Sequence, residues 1–200
     1  MKTRDTKGGP VRRMLAATAR GALDDDLQAA LRGEGLDVVA APGADALAGL
    51  PEVQAATVAG LLVAPALSMT EGPDRWANTA AELTSVFSLV QAYVRNEALR
   101  EHGRHVVALI PAGAAMGDAQ DPATSALAGG MLSLFRTLAL EFAKFDMTAN
   151  CLMVDQVNGR LAGAQEVAAM IRSLVDQRHA TISGQQIFAF GARDAGRLRP

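Results

Sequence analysis

The chain has 200 residues, half of them apolar and 20% charged, with 19 Lys and Arg against 21 Asp and Glu. That length can bury one sizeable core and is most simply a single domain. The formal charge of −2 leaves no broad footprint for nucleic acid or an anionic membrane. No signal-peptide core follows the N-terminus, and no run reaches the ~20 apolar residues of a membrane span, so the expected location is the cytoplasm.

In chain order, Lys2, Arg4, Lys7, Arg12 and Arg13 make a basic start, interleaved with Gly8, Gly9 and Pro10, that reads as a loose end over 1–12. The domain proper is expected over 13–192, with a tail over 193–200. "RMLAAT" and "LDVVAA" are short apolar runs flanking a helical stretch from Asp24 to Arg32, and "TVAGLLVAPAL" is a third run. A long helix is expected from Thr79 to Glu101, with Leu83, Val86, Phe87, Val90 and Val94 at helical spacing. His102 and His105 read as residues at its end, interacting with terminal carbonyls. "HVVALIP" is a strand. Asp121 and Pro122 then read as cap and first turn of a second long helix over Thr124–Phe145, whose apolar positions include Leu127, Met131, Phe135, Leu138 and Phe142. "MTANCLMV", the helix "QEVAAMIRSLV" and the strand "QQIFAF" complete the chain. Continuous apolar strands alternating with helices predict an α/β fold, a doubly wound parallel sheet covered on both faces. The lone Cys151 lies in a strand-like run and reads as a small core residue. His102, His105 and His179 lack metal-ligand spacing, so no metal site is expected.

The ordered segments "HVVALIPAG", "RTLALEFA", "MTANCLMV", "QEVAAMIRSLV" and "ISGQQIFAFG" resemble the short-chain dehydrogenase/reductase family over the larger, C-terminal part of the chain. "RGALDDDLQAALRGEGLDVVAA" is similar to the first helix and second strand of the same Rossmann sheet. The resemblance implies the fold of an NAD(P)-dependent oxidoreductase. It also locates positions at which this sequence departs from the family. The Gly-rich pyrophosphate turn falls on residues 17 to 24 and keeps only Gly21, with Thr18, Ala22 and Asp24 at other motif positions. Asp24, Asp25 and Asp26 stand where an anion would face the helix dipole. The wall after the fourth family strand falls on Ala64, Pro65, Ala66 and Leu67. Of the catalytic positions, the asparagine falls at about Glu82, the serine at Pro111 or Ala112, the tyrosine at Thr124 and the lysine at Ala128. A threonine hydroxyl titrates far above a phenol, so proton transfer at this site is not expected.

Length carries further implications. Where the family has a helix, an edge strand and another helix, only "PGADALAGLPEVQAA" stands between the second and third runs, so the edge strand is expected to be missing. Val154 and Asp155 replace a Pro-Gly pair, and "QVNGRLAGA" replaces the substrate lid. The two long helices, which in this family pair across a dyad as a four-helix bundle, remain full length and apolar. A helix with more apolar surface than one stripe needs a second burial partner. The expected face comprises Leu83, Phe87, Val90, Val94, Leu127, Met131, Phe135, Leu138 and Phe142.

The reading is therefore a chain that is not an enzyme on its own. It would be a non-catalytic subunit that binds no cofactor itself and pairs, as a heterotetramer, through the two long helices and the last strand, with a catalytic short-chain dehydrogenase holding NAD(P). Heteromeric members such as the hydroxyacyl-CoA dehydrogenase of the benzylsuccinate pathway are the nearest type. A regulatory or sensing domain, a divergent enzyme and a structural ketoreductase half remain as alternatives.

Overall fold

The computed structural model describes residues 12–18, 23–65, 75–157, 160–176 and 181–189. The first strand, β1, is Arg12–Thr18. Helix α1, Asp25–Gly33, begins where Asp24 Oδ1 accepts the N–H groups of Asp26 at 3.0 Å and Leu27 at 3.3 Å, so the expected acidic start is a true N-cap. It leads to β2, Leu36–Ala40, through Gly35 at φ +77°, a left-handed position that suits glycine.

Two short helices, α2 (Ala44–Ala48) and α3 (Glu52–Ala55), lead to β3, Val58–Ala64. Helix α4 (Arg75–Arg95), α5 (Glu97–His102) and strand β4 (His105–Pro111) follow. After α6 (Ala112–Met116) comes α7, Pro122–Phe142, with a 3-10 turn at Ala143–Phe145. Its cap is as expected, because Asp121 Oδ1 accepts from Thr124 N at 3.1 Å. Strand β5 (Thr148–Val154) precedes β6 (Gln156–Val157), β7 (Arg160–Leu161), α8 (Ala164–Val175) and β8 (Gln186–Phe188).

Six strands form a parallel sheet in the order β2-β1-β3-β4-β5-β8. The fold is thus α/β and Rossmann-like, as the sequence predicts, and the expected loss of an edge strand leaves β2 at the margin. Helices α2, α4 and α7 contribute to the core on one face, and α1 and α8 to the core on the other. The short β6–β7 antiparallel pair stands where the sequence suggests only a connection. The loose ends expected over 1–12 and 193–200 lie almost entirely outside the described residues; only Arg12 is described, as the first residue of β1.

The helix expected as continuous from Thr79 to Glu101 is two helices. Asn96 breaks it: its Oδ1 caps α5 by accepting from Leu99 N at 3.1 Å, and its Nδ2 donates to Leu50 O at 3.0 Å and Leu47 O at 3.2 Å. One buried amide thus ties α2 and the α4–α5 junction together. His105 opens β4 as the strand reading of "HVVALIP" has it; it is buried with Nδ1 2.9 Å from Thr148 Oγ1, a correction to its second reading as a partner of helix-terminal carbonyls. Helix α7 also corrects the hydropathy reading. Residues Pro122–Phe145 are long and apolar enough to cross a membrane by length and composition, yet Leu127, Met131, Phe135 and Phe142 are core residues beneath the sheet's helical layer.

Replacing Asn96 by Ala strands buried carbonyls and an amide at once, each costing about 1–3 kcal/mol. Asn96→Ala should lower the unfolding free energy by about 2–3 kcal/mol and Tm by roughly 5–10 °C, read by urea and thermal denaturation. An unchanged urea midpoint would show that water takes over these bonds.

Candidate functional site

In an open α/β sheet a ligand crevice forms past the C-terminal ends of the strands, where the strand order reverses. Here β2 lies on one side of β1 and β3 on the other, so the reversal falls at β1. At that end a cleft of about 260 Å³ is bounded by Ala16 and Ala17 of β1, Ala40 of β2, the Ala41–Ala44 link, and Ser85, Ser88 and Leu89 of α4.

The group this type of fold implies is a nicotinamide dinucleotide, and the residues present do not fit one. Two of the N–H groups at the start of α1, those of Asp26 and Leu27, which would receive a pyrophosphate, are already taken by the Asp24 carboxylate. Asp25 and Asp26 add two more carboxylates to the first turn, where an anion would be repelled. The end of β2, where a Rossmann site carries an acid for the ribose hydroxyls or an arginine for a phosphate, is Ala40 followed by Ala41. The cleft is also below the roughly 300–1,000 Å³ of ordinary ligand pockets. The backbone of Thr18 ends β1, whereas Ala22 lies outside the described residues.

The positions matched to catalytic residues sit around the same end of the sheet. Thr124 is buried, and its Oγ1 donates to Asp121 Oδ2 at 2.7 Å. That hydroxyl is therefore part of the helix cap. Ala128 is fully buried in the core, so the lysine position faces packed side chains. Pro111 ends β4 and Ala112 opens α6, buried. Glu82, at the position matched to the asparagine, is half-buried on α4, and burial raises its carboxyl pKa. Thr79 Oγ1 donates to Ala123 O at 3.3 Å, tying the start of α4 to the start of α7. None of these side chains supplies a phenol or an ammonium group.

Among the described residues no group of His, Cys, Asp and Glu could hold a metal ion. His102 lies in the last turn of α5, and His179 is outside the description. Cys151 is buried in β5, and burial pushes its thiol up to about 12, against a smaller opposing pull from Arg136. It is a packing residue and no nucleophile.

The expected interface divides in two. Val90, Leu127, Met131, Phe135 and Phe142 are buried in the chain's own core, a correction to their reading as partner-facing. Both long helices are apolar around most of their circumference, and the sheet takes the heavier side of each. Leu83, Val94 and Leu138 are partly buried, and Phe87 is 49% exposed. The reading missed Trp76 at 60% and Leu140 at 81% exposure. Leu140 is visible in sequence only as one leucine among several on α7.

No protein-family model and no curated protein matches the chain in sequence. Its likeness is to solved structures. A short-chain dehydrogenase/reductase from Brucella melitensis, titled a glucose/ribitol dehydrogenase, aligns at 18% identity and TM-score 0.61 over 90% of this chain and 96% of that one. A short-chain oxidoreductase from Burkholderia thailandensis aligns at 16% identity and TM-score 0.64, over 91% and 92% of the two chains. ElxO, solved with NADP bound, aligns at 10% identity and TM-score 0.64, over 89% and 96%. The chain therefore has the fold of the short-chain dehydrogenases and reductases. This likeness overturns the expectation of a chain that is not an enzyme: the proteins that share its fold over about nine tenths of the chain are named as oxidoreductases and dehydrogenases, and they give a non-enzyme no support.

Restoring the family pair by Thr124→Tyr and Ala128→Lys should not yield NAD(P)H-dependent carbonyl reduction. Lysine at a fully buried alanine places an uncompensated charge in the core, so the double variant should lose ~3 kcal/mol or more of stability, read by urea denaturation beside the activity assay. The Cys151 thiol generates a pH dependence as well. Its folded pKa is raised, so its contribution is complete below the ordinary thiol value of 9.0 and is lost between there and about 12. Cys151→Ser should flatten that part of the alkaline stability curve. In the native chain Cys151 should resist iodoacetamide at pH 8.5 and react once unfolded in urea.

Proposed function

We propose that the chain is a subunit of a hetero-oligomeric NAD(P)-dependent oxidoreductase. It pairs, most simply as a heterotetramer, with a short-chain dehydrogenase partner acting on an alcohol or a hydroxyacyl-CoA. The nicotinamide dinucleotide is held by the partner, because this chain's own crevice is small, uncharged at the ribose end and acidic at the phosphate end.

One observation carries the reading: the outer face of α4 and α7 lacks the charges of a solvated surface. From Trp76 to Val94 the only charged residue is the half-buried Glu82, and from Pro122 to Leu140 it is Arg136. The exposed positions on α4 include Ala77, Ala80, Thr84, Phe87 and Gln91, and those on α7 include Ala126, Gly129, Ser133 and Leu140. On the opposite side of the sheet, α1 exposes Asp25, Asp26 and Arg32, and α8 exposes Glu166. The two covers of one sheet thus have different surroundings to suit. Burying a phenylalanine or leucine contributes about 1.5–3 kcal/mol, and small residues between them let a partner helix approach closely.

Phe87→Glu and Leu140→Glu both change exposed side chains, so the sheet should stay folded. Each should release the partner subunit, with co-purification lost and the partner's NAD(P)H-dependent turnover reduced at least tenfold. Size-exclusion with multi-angle scattering measures the pairing, and circular dichroism the fold. A wild-type chain that runs as a monomer with and without a short-chain dehydrogenase partner would overturn the proposal.

A further inference from the structure

Arg136 breaks the neutrality of the outer face of α7. It shares one side of the helix with Ala126, Gly129, Ser133 and Leu140, which recur at three- and four-residue spacing, and all five positions are exposed. Its neighbours on that stripe are small or apolar, and a Cβ added at Gly129 would meet nothing within 4 Å. Other cations of the chain are answered by acids: Arg12, Arg104, Lys144 and Arg172 each hold a carboxylate oxygen at 2.7–3.0 Å. Arg136 holds no carboxylate among the described residues. Its contact is the neutral amide of Gln186 on β8. Turned so that its oxygen faces the guanidinium, that amide accepts from Arg136 Nε at 2.9 Å and from Nη2. Gln186 thus fixes the side chain and engages only part of its donor set.

An exposed guanidinium is solvated, and its charge costs nothing there. The pairing proposed above takes that water away. A covered guanidinium with an amide as its sole neighbour is an uncompensated charge, so whatever lies on this stripe has to bring an acid. A second copy of this chain does not bring one. Between Trp76 and Val94 and between Pro122 and Leu140 its charged residues are the half-buried Glu82 and another Arg136. Glu141 follows Leu140, but it is turned about 100° off the stripe and already holds Lys144 at 3.0 Å. We propose that Arg136 selects the partner on this face: it takes the carboxylate of an Asp or Glu of the partner subunit in a bidentate pair, with apolar partner residues over Leu140, and it disfavours a second copy of this chain. The inference rests on the pairing reading and names the chemistry that the partner has to present.

The test uses the full chain and the recombinant short-chain dehydrogenase that pairs with it, with Kd read by calorimetry and the fold by circular dichroism. Raising NaCl from about 50 to about 500 mM should weaken wild-type pairing roughly tenfold, a difference of about 1.4 kcal/mol. Arg136→Met should pair more weakly than wild type at low salt and lose most of that salt dependence. Arg136→Lys, which keeps the charge, should recover most of the affinity. Arg136→Glu should abolish pairing, and reversal of one Asp or Glu of the partner subunit to Arg should restore it. Wild-type affinity in Arg136→Glu, or a wild-type Kd that does not weaken with salt, overturns this inference and leaves the pairing itself standing. A wild-type chain that binds no short-chain dehydrogenase overturns the pairing, and this inference with it.

Discussion

A parallel sheet buried on both sides needs two helical covers, and the architecture follows from that requirement. Every residue of β3 and of β5 is buried, so neither face of the sheet centre can meet water. On one side α1 and α8 supply the cover and turn charged residues outward. On the other, α4 and α7 do so from close range: a Cβ at Gly130 would come within 2.8 Å of Leu83 Cδ1. Glycine there lets Leu83 lie against the backbone of α7, and Thr79 reinforces the contact at Ala123 O. The layer so formed has few protruding charged side chains between Trp76 and Val94 and between Pro122 and Leu140.

The same economy of side chains shapes the C-terminal end of the sheet. A helix start that faces a crevice normally offers unpaired N–H groups and a positive potential. In this chain the Asp24 carboxylate answers two of those groups, and Asp25 and Asp26 add negative charge at the helix start. The sharing of a backbone with reductases and dehydrogenases therefore leaves the electrostatics of the crevice free to differ. Fold and site are separable properties, as the alanines at the end of β2 also show.

Much of this was legible in the sequence. The strand runs are continuously apolar because both sheet faces are covered, and the two aspartate caps announce α1 and α7 by residue type. The missing edge strand could be read from the fifteen residues between Ala41 and Thr57. What failed did so for identifiable reasons. Asn96 ends α4 through bonds to Leu47 and Leu50, residues far away in sequence, and no local pattern reveals that reach. The inner side of α7 could not be told from its outer side because leucine and phenylalanine occur on both, so Phe135 was placed outward although it is 1% exposed. The strand position of His105 is legible in "HVVALIP", but its side-chain partner is not, because Thr148 comes from a strand 43 positions later. The crevice residues Ser85 and Ser88 carry no sequence signal beyond their small size.

The marginal position of β2 has a consequence for the behaviour of the chain in concentrated solution. With no strand beyond it among the described residues, half of its backbone amides and carbonyls point away from β1, a ready template for another extended chain. Three features limit that template. The strand is only five residues long, Asp37 sits within it, and Pro42 follows two residues after its end, where it offers no amide hydrogen. Shortness, a carboxylate and a proline are the ordinary protections of a sheet margin. Asp37→Val, which removes the charge and raises strand propensity, would therefore convert a protected edge into an adhesive one and favour fibrous self-association.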